Sequence, residues 1–262
     1  MTNILRIGAC QTPEFIGDPT AALACMLRFA QEAGDINVDL LLFPECFLTG
    51  YVLNKAYIAT YAYDFESKPF SIILKKLAHA KPTLVFGAGE KKSGNYFNSA
   101  VVVNGGEIMG IYRKTHLMDP NEAIFTPGAD YPIFEIKGLK FGINISYDAQ
   151  FADAAKAVAE QGAVLLLLLA QNMIPREKAE IWKDKHNEIR SERVRENHFW
   201  YMSSDVTGIR PPGPYGVECF AYGPTLVMNP KAEVVAQAPL MTVGMITADI
   251  PVTSRESIPV NE

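Results

Sequence analysis

Short runs of apolar, often branched residues alternate along the chain with longer amphipathic segments. Such runs predict strands when they span four to eight residues, and amphipathic segments that open on a capping residue predict helices. The predicted strands are 4–10, 39–43, 83–87, 97–103, 107–112, 132–136, 139–145, 163–170, 200–206, 225–228, 233–237 and 243–250. The predicted helices are approximately 18–34, 67–80, 149–161 and 176–197.

Several of these strands are apolar at every position, and such strands must be covered on both faces. The amphipathic helices can cover only one face of each sheet. Two mixed sheets stacked face to face, with helices outside, would bury everything, although a single doubly wound sheet remains possible from the pattern. No linker or low-complexity segment separates two similar halves, so we expect one domain over residues 1–250 and a C-terminal tail over 251–262.

Composition excludes several classes of function. The 262 residues carry a formal net charge of −5, which supplies no basic field for a nucleic-acid backbone. The longest apolar run has eight residues, against the ~20 that a membrane span needs. The N-terminus has no secretory pattern, and the four cysteines form no CxxC pair. We therefore expect a reduced, cytoplasmic protein without nucleic-acid or membrane partners.

Three polar residues follow predicted strands and are candidates for chemistry. Glu45 follows DLLLFP, Lys114 follows GIYR and Ser146 follows KFGINI. Ligand-binding groups of α/β folds collect at the carboxyl ends of strands, whereas each residue alone could equally mark a strand turning towards solvent. The chain has no phosphate-loop, dinucleotide or zinc motif, and its histidines lack metal-ligand spacing, so we expect no cofactor and no metal.

The segments around these residues carry a family resemblance. FPECFLTGY (43–51), YRKTHL (112–117) with FTPG (125–128), and GINISYDAQF (142–151) resemble the three signature blocks of the nitrilase, or carbon–nitrogen hydrolase, superfamily. QGAVLLLL, RVRENHFWYMSSDVTG and YGPTLVMNPKAEVVA extend the resemblance over nearly the whole chain, in the order and spacing of the family.

The resemblance implies a four-layer α-β-β-α sandwich and an amidase-like hydrolase of non-peptide C–N bonds that acts through a covalent acyl-enzyme. Small amides or N-carbamoyl compounds are the implied substrates, in preference to nitriles, and a homodimer or larger homo-oligomer is the implied assembly. Glu45 would be the general base, Lys114 the oxyanion stabiliser, and Glu122 the carboxylate that orients substrate or Lys114. Asp148 is expected to fix the turn after the nucleophile position.

Further residues are candidates for the walls of the pocket. Tyr51 and Tyr147 could line it, and Asn172 sits where relatives contact substrate, although core packing and an ordinary loop position are equally reasonable for these residues. The remaining walls are expected from loops 52–66, 173–184 and 208–221.

Ser146 departs from the family pattern, which places the nucleophilic cysteine there. Cys46 adjoins Glu45, but if both lie on a strand end their side chains face opposite ways. A serine hydroxyl is much harder to ionise than a thiol and needs a stronger adjacent base. We therefore expect intact binding with little turnover. Ser146 is either a deliberate replacement in an amidase-like enzyme or a natural divergence, to a serine hydrolase or to a pseudoenzyme that binds a small molecule.

Overall fold

The computed structural model describes residues 3–212 and 216–252. The strands are β1 (Ile4–Gln11), β2 (Leu40–Leu42), β3 (Thr83–Lys92), β4 (Asn95–Asn104), β5 (Glu107–Arg113), β6 (Phe134–Ile136), β7 (Leu139–Ile145), β8 (Leu165–Leu169), β9 (Ile174–Pro175), β10 (Trp200–Ser204), β11 (Gly208–Arg210), β12 (Cys219–Ala221), β13 (Leu226–Met228), β14 (Val234–Gln237) and β15 (Gly244–Pro251). The helices are α1 (Pro19–Asp35), α2 (Lys55–Tyr61), α3 (Lys68–Leu77), α4 (Ala152–Glu160) and α5 (Arg176–Asn197), and a 3₁₀ turn covers Ser146–Gln150.

Two six-stranded sheets organise the chain. The first has the order β15-β1-β2-β3-β4-β5, and the second has the order β14-β13-β10-β8-β7-β6. Both are mixed: β1, β2 and β3 run parallel in one, and β7, β8 and β10 run parallel in the other, with antiparallel strands on both sides. The two halves of the chain thus repeat one design.

The sheets pack face to face around the largest apolar cluster, to which both contribute. The position of strand β8 between two apolar layers explains why it is leucine at every position. Its residues 165, 167 and 169 enter the cluster between the sheets, whereas 166 and 168 enter a second cluster under the helices. Successive side chains of a strand point to opposite faces, so a strand covered on both sides needs apolar residues throughout.

Helices form the two outer layers. α1 and α3 pack on the outer face of the first sheet, and α4 and α5 pack on the outer face of the second. The four-layer α-β-β-α sandwich expected from the sequence is therefore confirmed, and the alternative of one doubly wound sheet is wrong. Among the described residues, no helix is long and apolar enough to cross a membrane.

Some predicted boundaries were wrong. Segment 52–66 contains the short helix α2, which begins where the Asn54 side chain accepts a hydrogen bond from the backbone of Tyr57. The helix predicted to begin at 149 starts at 152, because a 3₁₀ turn precedes it. Segment 208–221 contributes β11 and β12 to a small third sheet with β9. In the predicted tail, Pro251 belongs to β15, and residues 253–262 lie outside the described residues.

Candidate active site

Glu45 lies in a tight turn that follows β2, at the carboxyl end of the parallel strands of the first sheet. Its backbone N–H donates to the carbonyl of Ala170 at 3.2 Å, which ties this turn to the end of β8 in the other sheet. Strand β3 passes directly beneath the turn at Gly87, where an added Cβ would meet the backbone nitrogen of Cys46 at 2.2 Å. Only glycine permits this close approach. The Glu45 carboxylate is buried and accepts a 2.8 Å hydrogen bond from Nδ2 of Asn98.

Lys114 follows β5, and its side chain is 2% exposed. Its Nζ donates to Oε1 of Glu45 at 3.1 Å and to both carboxylate oxygens of Glu122, at 2.7 and 2.9 Å. Glu122 is fully buried and also accepts from the backbone N–H of Met118 at 2.8 Å and from the hydroxyl of Tyr51 at 2.9 Å. One ammonium group is thus held between two carboxylates in the protein interior.

Burial and charge together set the proton affinities of this cluster. Burial raises the pKa of Glu45, and the Glu122 charge adds to that effect, whereas the Lys114 charge opposes it. Burial opposes the charged form of Lys114, but the carboxylates of Glu45 and Glu122 more than offset it and raise the pKa of Lys114. Lys114 therefore stays charged, and Glu45 accepts a proton more readily than an ordinary glutamate does.

Ser146 lies at the junction of β7 and the 3₁₀ turn, with a φ of +46°. The carboxylate of Asp148 holds this junction: Oδ2 accepts from the backbone N–H of Ile145 at 2.8 Å and from the hydroxyl of Tyr112 at 2.7 Å. Its Oδ1 accepts from the backbone N–H of His116 at 2.8 Å. Asp148 thereby ties the turn at Ser146 to the segment that follows Lys114. Within the described part of the chain, the Ser146 hydroxyl has no hydrogen-bond partner.

A cavity of about 160 Å³ opens between these elements and α5. Pockets for drug-sized ligands measure roughly 300–1,000 Å³, so this cavity suits a smaller molecule. Most of the site residues predicted from sequence are brought together here: Tyr51, Lys114, Ser146, Tyr147 and Asn172 line the cavity. Glu45 and Glu122 do not line the cavity, but both accept hydrogen bonds from the ammonium group of Lys114, which does line it.

Segment 173–184, expected as a loop of the pocket wall, does line the cavity but does so largely as the first part of helix α5, and the wall continues along this helix beyond the segment, which sequence reasoning missed. Trp182, His186 and Arg190 line the cavity at four-residue spacing. Burial and the Arg190 charge lower the pKa of His186 to about 3, so this imidazole is neutral. The spacing of 182, 186 and 190 was the available signal, because residues four apart share one face of a helix.

Asp205, which follows β10, supports this wall from behind. It is fully buried, accepts hydrogen bonds from the backbone and side-chain nitrogens of Asn172, and lies 3.8 Å from the Arg190 guanidinium. Burial raises the pKa of Asp205 to about 7, against the opposing effect of Arg190. Asn172 is thus fixed in place by Asp205, which lies in the quoted segment RVRENHFWYMSSDVTG but was not predicted as a site residue.

The expected orientation of Cys46 was wrong. Glu45 and Cys46 lie in a turn rather than on a strand, and Cys46 has a φ of +46°. Its Sγ contacts Oδ1 of Asn98 at 3.4 Å, and the same Asn98 amide donates to Glu45. The two side chains therefore meet at one neighbour instead of facing apart. Cys46 does not line the cavity, and burial raises the pKa of its thiol well above the usual range.

Two further expectations need correction. The described parts of loops 52–66 and 208–221 contribute no residue to the cavity wall; the first forms α2 and the second contributes β11 and β12 to the third sheet. In residues 3–212 and 216–252, no group of three or more His, Cys, Asp or Glu side chains is arranged to hold a metal ion.

The four-layer sandwich and the lysine held between two glutamates beside a cavity place this protein in the nitrilase superfamily of hydrolases. The carbon–nitrogen hydrolase family model matches residues 6–259, and the chain belongs to that family. Its fold also matches a glutamate-to-glutamine mutant of the amidase from Nesterenkonia sp. with a TM-score of 0.80 and 22% identity, covering 97% of this chain and 96% of that one.

Curated relatives share moderate identity over part of the chain. A protein described as a hydrolase in the pqqF 5′ region of Pseudomonas protegens is 32% identical over 176 residues, 65% of this chain and 61% of that protein. An (R)-stereoselective amidase from Pseudomonas sp. is 32% identical over 143 residues, 55% of this chain and 51% of that protein. The matched region thus spans between half and two thirds of these two relatives.

Proposed function

We propose that this site hydrolyses small amides or N-carbamoyl compounds through a covalent acyl-enzyme when a cysteine stands at position 146, and that Ser146 leaves the chain inactive or very slow. The observation that carries the proposal is the Lys114 ammonium, held between Glu45 and Glu122 beneath the cavity that Ser146 lines. The amidase named among the relatives and the amidase among the solved structures support it. The Nesterenkonia structure is described as carrying acrylamide added at its active-site cysteine.

The chemistry follows from these positions. Glu45 would take the proton of a thiol at position 146, and the thiolate would attack the amide carbon. Lys114 and the backbone N–H of Tyr147 would stabilise the oxyanion of the tetrahedral intermediate. Glu45 would then return the proton to the leaving nitrogen as the C–N bond breaks, releasing ammonia or an amine. Glu45 would next activate a water that cleaves the thioester, releasing the acid and restoring the thiol.

A hydroxyl at position 146 is much harder to ionise than a thiol, and a carboxylate such as Glu45 is a poor base for it, so a serine nucleophile would need a histidine. Among the residues described, nothing accepts a hydrogen bond from the Ser146 hydroxyl. His116 is held by Asp148 at 3.2 Å, stacks on Phe151 at 4.0 Å and does not line the cavity. His186 does line the cavity, but its pKa of about 3 makes it a weak base.

The test is to replace Ser146→Cys and to measure ammonia release from a panel of small amides, N-carbamoyl compounds and nitriles, with Ser146→Ala as the matched control. We expect release to rise by roughly 10³-fold or more on at least one amide or carbamoyl compound, since removing the nucleophile of a hydrolase can cost about 10⁶ in rate. A folded Ser146→Cys protein with no gain on any substrate would refute the proposal. Comparable release by the unaltered chain would instead identify a serine hydrolase.

The unpartnered Ser146 hydroxyl also favours a second candidate, a binding protein that retains the pocket without turnover. Calorimetric titration of the unaltered chain with the same amides and their acids tests this function. Binding of an amide together with an inactive Ser146→Cys variant would support the binding protein and contradict the enzyme. Absence of binding by the unaltered chain would exclude the binding protein.

A further inference from the structure

Two rows of side chains at four-residue spacing run along helix α5, one beside the cavity and one in solvent. Lys178, Trp182, His186 and Arg190 recur at every fourth position and line the cavity. Acidic residues recur at 180, 184, 188 and 192, and all four are exposed. Positions two apart on a helix lie about 200° around its axis from each other, so the acidic row faces away from the cavity. The helix thus presents cations and aromatic rings to the cavity and carboxylates to solvent.

The described lining of the cavity contains positive side chains and no aspartate or glutamate. Two of the three cations are already matched by partners. Lys114 has its two carboxylates, and Arg190 has Asp205 at 3.8 Å and the carbonyl of Pro224 at 2.7 Å. Lys178 is exposed and has neither a hydrogen bond nor an ion pair with any described residue. One positive charge on the wall therefore remains without a partner.

Burial indicates where this charge lies along the wall. Arg190 is 2% exposed, whereas Lys178 is exposed, so the row runs from the protein interior to the mouth of the cavity. Four residues of helix advance about 6 Å, so Trp182 lies one turn inward from Lys178. Its ring packs against that of His186 with centroids 5.3 Å apart. A molecule that extends from the interior to the mouth passes an aromatic surface before it reaches the ammonium group.

We propose that the acyl part of the substrate ends in a carboxylate, and that Lys178 binds this carboxylate while Trp182 packs against the intervening methylene groups. This inference rests on the proposed function and names its substrate class: short amides or carbamoyl compounds that bear a carboxylate at the end remote from the scissile C–N bond. A single flexible ammonium suits one carboxylate, and the cavity of about 160 Å³ admits only a short spacer. A cationic substrate would be disfavoured by Lys178.

The experiment compares three amides of similar length that differ only at the remote end. Glutaramate ends in a carboxylate, valeramide in a methyl group and 5-aminovaleramide in an ammonium group. Ammonia release is measured for each in the Ser146→Cys protein, alone and combined with Lys178→Gln, Lys178→Glu or Arg195→Gln. Arg195→Gln is the matched control, because it removes one exposed positive charge from the same helix outside the cavity.

We expect kcat/KM to favour glutaramate over valeramide by roughly 2- to 5-fold, mainly through KM, since exposed charge pairs contribute at this level. Lys178→Gln should abolish the preference and Lys178→Glu should shift it to the ammonium compound, whereas Arg195→Gln should keep it. The preference should also shrink at high ionic strength.

The outcomes separate this inference from the proposed function. If neither the three amides nor any other compound of the panel releases ammonia, the proposed function is refuted. Release from valeramide at least as efficient as from glutaramate refutes only the carboxylate-bearing substrate. A preference that survives Lys178→Gln, or that Arg195→Gln removes equally well, refutes the role of Lys178. Calorimetry of the unaltered chain with glutarate and valerate provides the same comparison without turnover.

Discussion

His186 makes the stability of this protein depend on pH in a direction that can be calculated. Its pKa is lowered from 6.5 to about 3 in the folded chain by the desolvation of this half-buried imidazole and by the charge of Arg190. Above pH 6.5 the imidazole is neutral in both the folded and the unfolded chain, so His186 does not change the free energy of unfolding with pH. Below pH 6.5 the unfolded chain binds a proton that the folded chain does not bind, so stability falls as pH falls.

The magnitude follows from the same two values. Each pH unit between them changes the free energy of unfolding by about 1.4 kcal/mol. At pH 5, the chain is 1.5 pH units below the unfolded value of 6.5, so His186 accounts for a loss of about 2 kcal/mol relative to pH 7. Carboxylates also titrate in this interval and contribute to the change in stability. The contribution of His186 is therefore measured as the difference in stability loss between the unaltered chain and a variant without this histidine.

The assay is urea unfolding of the unaltered chain and of His186→Gln at pH 7 and pH 5. Glutamine stays neutral at both values, so the unaltered chain should lose about 2 kcal/mol more than the variant between them. Replacement of the exposed His79 by glutamine controls for the loss of a histidine as such. Equal losses in the unaltered chain and in His186→Gln would refute the assignment of a neutral, half-buried imidazole to the wall of the cavity.

Two further substitutions test how the site is held together. Tyr51→Phe removes a 2.9 Å hydrogen bond to the buried Glu122, and in the Ser146→Cys background we expect kcat/KM to fall about 10-fold and stability to fall by about 1–2 kcal/mol, measured by ammonia release and urea unfolding. Asp148→Asn places an amide N–H₂ against one of the two backbone N–H groups that donate to this carboxylate, and urea unfolding should show a loss of about 2–4 kcal/mol. Asp153→Asn, with a side chain 71% exposed, is the control and should change stability by less than about 0.5 kcal/mol. A stable Asp148→Asn protein, or a fully active Tyr51→Phe protein, would contradict these roles.

The layers of the fold were predictable because a strand that is buried on both faces must be apolar at every position. A run of leucines such as 165–169 has no polar face, and that fact alone requires a layer on each side. Helix α2 was not predictable in the same way. Only Ile58 of its residues is buried, so no apolar periodicity marks it.

The site was predictable residue by residue but not as a network. Glu45 and Lys114 each follow a strand, which made them candidates, yet their 3.1 Å contact joins positions 69 residues apart in the chain. The role of Asn98 depends on the register of β4 beside β3, which brings it against the turn at Glu45. No local pattern distinguishes such an asparagine from one that faces solvent, because its partners are set by the packing of the sheets.

The buried ion-pair cluster of Lys114, Glu45 and Glu122 is retained beside Ser146, and protein stability does not explain its retention. Removing charges from water costs several kcal/mol per ion, and replacing a buried ion pair by apolar residues is often neutral or stabilising. Stability of the sandwich therefore gives no reason to keep Lys114 between Glu45 and Glu122. The cluster also makes no hydrogen bond to Ser146, so its charge and geometry do not depend on whether residue 146 is serine or cysteine. A comparison of Ser146 with Ser146→Cys consequently changes the nucleophile while leaving the oxyanion-stabilising charge in place, and any difference in rate is a property of the sulfur.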